Sequence, residues 1–336
     1  GAIFFDQMMY ALGADTTNIE LVRGYGLCYT VSAPLFIFSS SLQSFIRNDK
    51  SPRHAMIAVL TGSGLNILLD YLFIFVFKMG MFGASFATSI GTSITVCILV
   101  IHFFTKKNTM RFSFRFFSIK ALWEIAKCGF SSFLIECANA VLVFVFNHTL
   151  LKYIGSVGVT VYSIMSNVAV VCMSLFNGVT LAAQPIIATN HGADNHKRVL
   201  QVRHIGTITS SVIAVIIFCV GFFFPDLLIY SYVKGPTPEI LELARYALRI
   251  YFFAYLFMNF NIFFSGYFQS TLRPVAAITI QILRSLLLSS VLVSVLPMIF
   301  GADAIWYAVP VTECITFFVA MAFLFFGRFQ KTKEVK

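Results

Sequence analysis

The sequence predicts an all-α integral membrane protein with nine full transmembrane helices, the end of a tenth, and parallel internal repeats. Three observations predict it. Hydrophobic residues make up 58% of the 336 and charged residues only 11%, against about 25% charged in a soluble domain. Apolar runs long enough to cross a hydrocarbon core of about 30 Å recur from end to end, each closed by a short polar loop. Most of the 24 Lys and Arg fall on one set of alternating loops and the tail, the positive-inside pattern that puts the C-terminus in the cytoplasm. That alternation also argues against nucleic acid as the partner of a net charge of +10.

Taken in order, Gly1 to Leu12 reads as the last turns of a helix, and Gly13-Ala14-Asp15 as a turn. The first full span is expected over Glu20 to Ile46, kinked at Pro34. After the polar Arg47 to Pro52 comes Arg53 to Phe77, an apolar stretch interrupted by one acid, Asp70. The third span, Gly83 to Phe104, opens with GASFATSIGTS, a run of small residues that lets helices approach closely in lipid. Lys106 to Lys120 interleaves basic and aromatic residues and reads as an interfacial segment on the cytoplasmic leaflet. Six spans follow: Leu122 to Leu151, Val159 to Ile187, Val199 to Phe224, Leu241 to Ser270, Val275 to Phe300, and Ala302 to Phe326.

Ionisable side chains within spans are the functional candidates, because lipid makes them costly unless they face a bundle interior or a wet cavity. Asn66 lies one helical turn before Asp70, on the same face, and the pair is read as an ion or proton site rather than a structural acid with a buried partner. Glu136 shares a face with Asn139 and Asn147 and is read as a group for substrate attraction or proton coupling. Its bland alternative is a carboxylate bonded to Asn139 or to a neighbouring helix. Glu313 and Arg284, on the last two spans, are expected to pair with each other. The seven cysteines read as packing residues, without a disulfide framework. His148, His191, His196 and His204 lack metal-ligand spacing. No phosphate-binding loop or nucleophile–base motif appears, so neither an ATP-driven pump nor a hydrolase is expected.

The halves echo one another. Leu42-Gln43-Ser44-Phe45-Ile46-Arg47 resembles Phe268-Gln269-Ser270-Thr271-Leu272-Arg273, each soon followed by a proline, Pro52 and Pro274. Glu20 to Arg23 matches Glu242 to Arg245, and Ala87 with Ile94-Thr95 matches Ala308 with Ile315-Thr316. The offset is nearly constant, and matched pairs enter the membrane from the same side, so the repeats are parallel, one plan of secondary transporters. The expected organisation is a partial N-terminal lobe over 1–105, a cytoplasmic inter-lobe loop over 106–120, a C-terminal lobe over 121–328 and a cytoplasmic tail over 329–336. Since the second copy holds six spans, two spans and most of a third are expected to precede Gly1.

The stretches Gly62 to Phe77 with its NILLD core, Gly83 to Thr92, and Gly129 to Asn147 resemble the multidrug and toxic compound extrusion (MATE) family of transporters. Gln184 to Arg198 and Ala304 to Glu313 add to the resemblance, which covers nearly the whole chain. It implies a two-lobe helical bundle that exchanges Na⁺ or H⁺ for cationic amphipathic organic compounds by alternating access. It also implies a cation site of Asn66, Asp70 and Thr88, and a role for Glu136 with Asn147 in the same helix. Thr88 taken alone is as readily a helix-packing residue. Expected partners are small organic cations and the bilayer, with no cofactor, no metal beyond Na⁺ at Asp70, Asn66 and Thr88, and a monomeric state in the plasma (inner) membrane. The rivals are a lipid-linked saccharide flippase of the same superfamily and a non-transporting membrane scaffold.

Overall fold

The structure is a computed structural model describing residues 5, 19–106, 108–110 and 118–333. The chain divides into two compact units, Gly1–Phe116 and Phe117–Lys336. The expected helix end over 1–12, apart from Phe5, and most of the 106–120 loop lie outside the described residues, as does the end of the tail.

Three long helices make up the described part of the first unit. α1 is Ile19–Asn48 and continues through Pro34. α2, Pro52–Val76, starts at a proline that suits a first helical turn, where its missing N–H costs nothing. It is α-helical to Asp70 and π-helical over Tyr71–Val76. α3, Gly80–Phe104, packs against both others. Its small face explains why. Buried Gly83, Ser85, Ala87, Ser89 and Gly91 allow close approach from either side. Ser32 Oγ of α1 donates to Ser89 Oγ at 2.7 Å. Toward α2, a Cβ on Gly62 would fall onto Thr95 Oγ1 and 2.6 Å from the Gly91 carbonyl. A Cβ on Gly91 would lie 2.8 Å from the Gly62 carbonyl. The two backbones touch.

The second unit holds α4 (Ile119–Tyr153), α5 (Ser156–Gly192), α6 (His196–Phe223), the short α7 (Pro225–Tyr232), α8 (Pro238–Ser270), α9 (Pro274–Phe300) and α10 (Ala308–Lys333). A 3-10 turn, Ala302–Tyr307, leads into α10. α8 is the hub and packs against α5, α6, α9 and α10. Its buried Phe252, Tyr255 and Met258 join Phe176, Ile305 and Trp306 in one core cluster, and Phe263, Phe264 and Phe268 head a second. Gly206 and Gly221 of α6 leave room for the rings of Phe263 and Phe252.

Nine long helices thus stand among the described residues, as the hydropathy pattern predicted. Seven of them are apolar enough by length and composition to cross a membrane, and α1 and α4 extend over 30 and 35 residues. Two features escaped the pattern. α7 sits where only a loop was expected, and α9 carries a π-helical stretch, Leu283–Leu287, like the one in α2.

Candidate functional site

The first cluster is built by α2 and α3. Asn66 and Asp70 project from one face of α2, and the glycine contact brings Thr88 of α3 to Asn66, whose Nδ2 donates to Thr88 Oγ1 at 3.4 Å. Thr88 donates its own hydroxyl hydrogen to the Ala84 carbonyl at 3.0 Å, leaving oxygen lone pairs for another group. All three side chains are half-buried. Asp70 Oδ1 is enclosed and has no hydrogen-bond partner among the described residues. Asp70 is also the last residue of the α-helical part of α2, directly before the π-helical Tyr71–Val76. Such stretches loosen the regular backbone bonding and occur often at functional sites.

This donor set suits a small hard cation, because carboxylate, amide and hydroxyl oxygens are the ligands such ions take. The enclosed Oδ1, without a partner among the described residues, leaves a place for such an ion or for a proton.

The second group lies on α4. Glu136 and Asn139 are exposed, and Asn139 Nδ2 reaches Glu136 Oε2 only at 3.5 Å. Asn147 is half-buried farther along the helix. A bond this long leaves Glu136 open to solvent and to ligands.

Glu313 and Arg284 form the expected pair. Arg284 donates Nη2 and Nε to Glu313 Oε1 at 2.7 and 3.1 Å, with both side chains buried. Asn261 of α8, which sequence reading missed, completes it. Its Nδ2 donates to Glu313 Oε2 at 2.7 Å and to the Glu313 carbonyl at 2.9 Å. The π-helical stretch around Arg284 is supported locally, where Ser289 Oγ donates to the Arg284 carbonyl at 2.5 Å. A carboxylate so fully occupied is a tie between α8, α9 and α10.

A third polar cluster was also missed. Asp49 is buried at the corner between α1 and α2. It accepts from the Thr109 hydroxyl, from the Thr109 amide at 3.1 Å and from His102 Nε2 at 2.8 Å. These donors, the Thr109 hydroxyl foremost and His102 next, pull its carboxyl down to about 2. An acid among the bases of a short loop was the only sequence signal.

A multi-pass helical bundle in which an intramembrane acid keeps one enclosed oxygen without a partner among the described residues defines the class: a polytopic membrane protein with a candidate ion site within its spans. Comparison with known proteins narrows this. The MatE family profile matches residues 128–295. The multidrug export protein MepA of Staphylococcus saprophyticus is 26% identical over 331 residues, covering 98% of this chain and 72% of the relative. MepA of Staphylococcus aureus strain MSSA476 is 24% identical over 341 residues, covering 98% and 73%. Among solved structures, a transporter of the MOP superfamily from Pyrococcus furiosus superposes with a TM-score of 0.90 at 20% identity, covering 100% of this chain and 75% of the other. The outward-facing structure of a multidrug resistance MATE family transporter gives 0.88 at 20% identity, covering 99% and 74%. The chain belongs to the MatE family of membrane transporters, and it is not an enzyme.

Proposed function

We propose that this protein is a secondary active exporter that exchanges Na⁺ or H⁺ for cationic amphipathic organic compounds by alternating access. The observation that carries the reading is Asp70, whose enclosed Oδ1 has no hydrogen-bond partner among the described residues, beside the Asn66–Thr88 pair. An acid inside a membrane costs about 2.5–3.5 kcal/mol on insertion scales and commonly marks an ion or proton pathway. Asp70 takes the coupling ion, with Asn66 and Thr88 oxygens completing its shell. Glu136, exposed on α4, attracts the cationic substrate. The MepA relatives, named as multidrug export proteins, support small organic compounds as the cargo. On this reading the protein is a monomer in the plasma membrane with its C-terminus in the cytoplasm.

The test is accumulation of a fluorescent organic cation in cells expressing the full-length protein, with Na⁺ and pH gradients imposed separately. Wild type is expected to lower accumulation under one of the two gradients, which identifies the ion, and Asp70→Asn to lose that effect at equal expression. Wild type and variants that express well yet never lower accumulation of a broad dye panel would sink the export reading. Transbilayer movement of a lipid-linked saccharide would then be measured, and a negative result there would leave the scaffold.

A further inference from the structure

At the membrane face where α8 and α10 begin, two open cavities of about 380 and 410 Å³ flank one short stretch of α8. Arg245 and Arg249 line both. Aromatic rings form much of the remaining wall, Phe222 and Phe253 in one cavity and Phe223 and Phe224 in the other. Tyr246 and Tyr307 bring their hydroxyls to 3.4 Å at this end, the placement expected of tyrosines at headgroup level.

The charges are ordered along the helix. Glu242 comes first, exposed on the rim of the first cavity. Arg245 follows one turn deeper and is already engaged, giving Nε and Nη2 to Asp226 of α7 at 2.5 and 2.7 Å. That pair is neutral, and Arg245 holds the Asp226 carboxyl below its ordinary range. Arg249 comes last and is exposed, with no charged residue after it until Arg273. Seven residues of helix separate Glu242 from Arg249, about 10 Å along the axis. The first cavity therefore presents, from water toward hydrocarbon, the Glu242 carboxylate, Arg245 with its Asp226 partner, the Arg249 guanidinium and then the Phe253 ring one turn on.

We propose that this is a binding site for a zwitterionic aminophospholipid, a phosphoethanolamine headgroup with its acyl chains. Such a headgroup carries its charges in the complementary order, with the phosphate next to the hydrocarbon and the ammonium toward water. Arg249 takes the phosphate, and Arg245 Nη1, which the Asp226 pair does not use, is a second donor. Glu242 accepts from the ammonium, and the chains lie along Phe253, which is exposed one turn beyond Arg249 and packs on Phe222 in the same cavity. A wholly anionic headgroup meets Glu242 without a compensating charge, and a trimethylated one brings no N–H to it. The site is independent of Asp70, so its test stands apart from the transport reading.

The experiment is native mass spectrometry of the full-length protein in detergent, titrated with phosphatidylethanolamine, phosphatidylglycerol and phosphatidylcholine of matched chains. Soluble glycerophosphoethanolamine serves as a headgroup-only control. Wild type is expected to retain phosphatidylethanolamine best and the soluble headgroup hardly at all. Arg249→Gln is expected to weaken phosphatidylethanolamine binding about tenfold, the scale of one charge-assisted hydrogen bond, and Arg249→Lys to restore most of it. Glu242→Gln keeps binding but erases the preference over phosphatidylglycerol. Wild type binding phosphatidylglycerol or phosphatidylcholine as tightly as phosphatidylethanolamine overturns the proposal, as does an unchanged preference in Glu242→Gln. Arg249→Lys and Glu242→Gln keep the test decisive even where Arg249→Gln does not fold.

Discussion

Acids in and beside the spans of this chain meet opposite fates, and their partners decide which. Glu313 is consumed by Arg284 and Asn261, whereas Asp70 keeps an oxygen unpaired among the described residues. Breaking a buried pair strands a charge, so Arg284→Met is expected to destabilise by about 3–5 kcal/mol. Replacing both partners with apolar residues (Arg284→Met with Glu313→Leu) leaves no stranded charge and recovers most of that loss. Melting temperatures of the four proteins in a double-mutant cycle check this, and a double variant no better than the single would refute the account. Asp49 gives a pH prediction. Its folded carboxyl is held at about 2, below the ordinary 3.8, so its contribution is complete above the ordinary value and lost as pH falls through the folded one. Thr109→Val removes the foremost cause of that depression. The melting deficit of Thr109→Val is therefore expected to be largest near pH 7 and to shrink between about pH 4 and pH 2. A deficit independent of pH would mean that Thr109 acts by packing instead.

At the scale of elements, the two units solve the same packing problem differently. Gly62 and Arg284 stand at the same spacing from the helix-starting prolines Pro52 and Pro274. In the first unit α2 and α3 meet backbone to backbone at Gly62 and Gly91, while at the matching level α9 and α10 are tied by the Arg284–Glu313 pair. The glycine contact also sets the distance from Asn66 to Thr88, because a Cβ on Gly91 would lie 2.9 Å from Asn66 Cβ. Gly62→Val forces the helices apart, with an overpacking cost of about 1–3 kcal/mol, and separates the proposed ion ligands. Export is expected to fall with Gly62→Val as it does with Asp70→Asn, although every ligand residue is still present. Gradient-driven efflux at matched expression measures it, and wild-type efflux by Gly62→Val would show that the contact does not position the site.

For the molecule as a whole, the candidate residues divide between the units, with Asn66, Asp70 and Thr88 in the first and Glu136, Asn139 and Asn147 in the second. If Asp70 couples the ion and Glu136 attracts cargo, their neutralisation differs in kind. Glu136→Gln is expected to impair efflux of cationic dyes more than that of neutral ones, and Asp70→Asn to impair both alike. A dye panel graded by charge tests this, and equal losses for Glu136→Gln across the panel would refute the division. The multi-pass character and the long helices were legible in the sequence, because lipid makes hydropathy decisive and a proline such as Pro52 fixes a helix start. The pairing of Arg284 with Glu313 was legible too, since a buried charge needs an opposite one. The third member, Asn261, was not, nor was the cluster of Thr109 and His102 around Asp49. Each depends on how helices and loops far apart in the chain are rotated and seated against one another, and a one-residue shift turns a helical side chain by about 100°. The π-helical stretches were hidden for a related reason, as a single extra residue in a turn leaves an apolar run equally apolar. The sequence by itself determined that this chain crosses the membrane many times and carries acids there. Only the tertiary structure decided which acid is satisfied and which is left open to a ligand, because that depends on what the neighbouring helix presents.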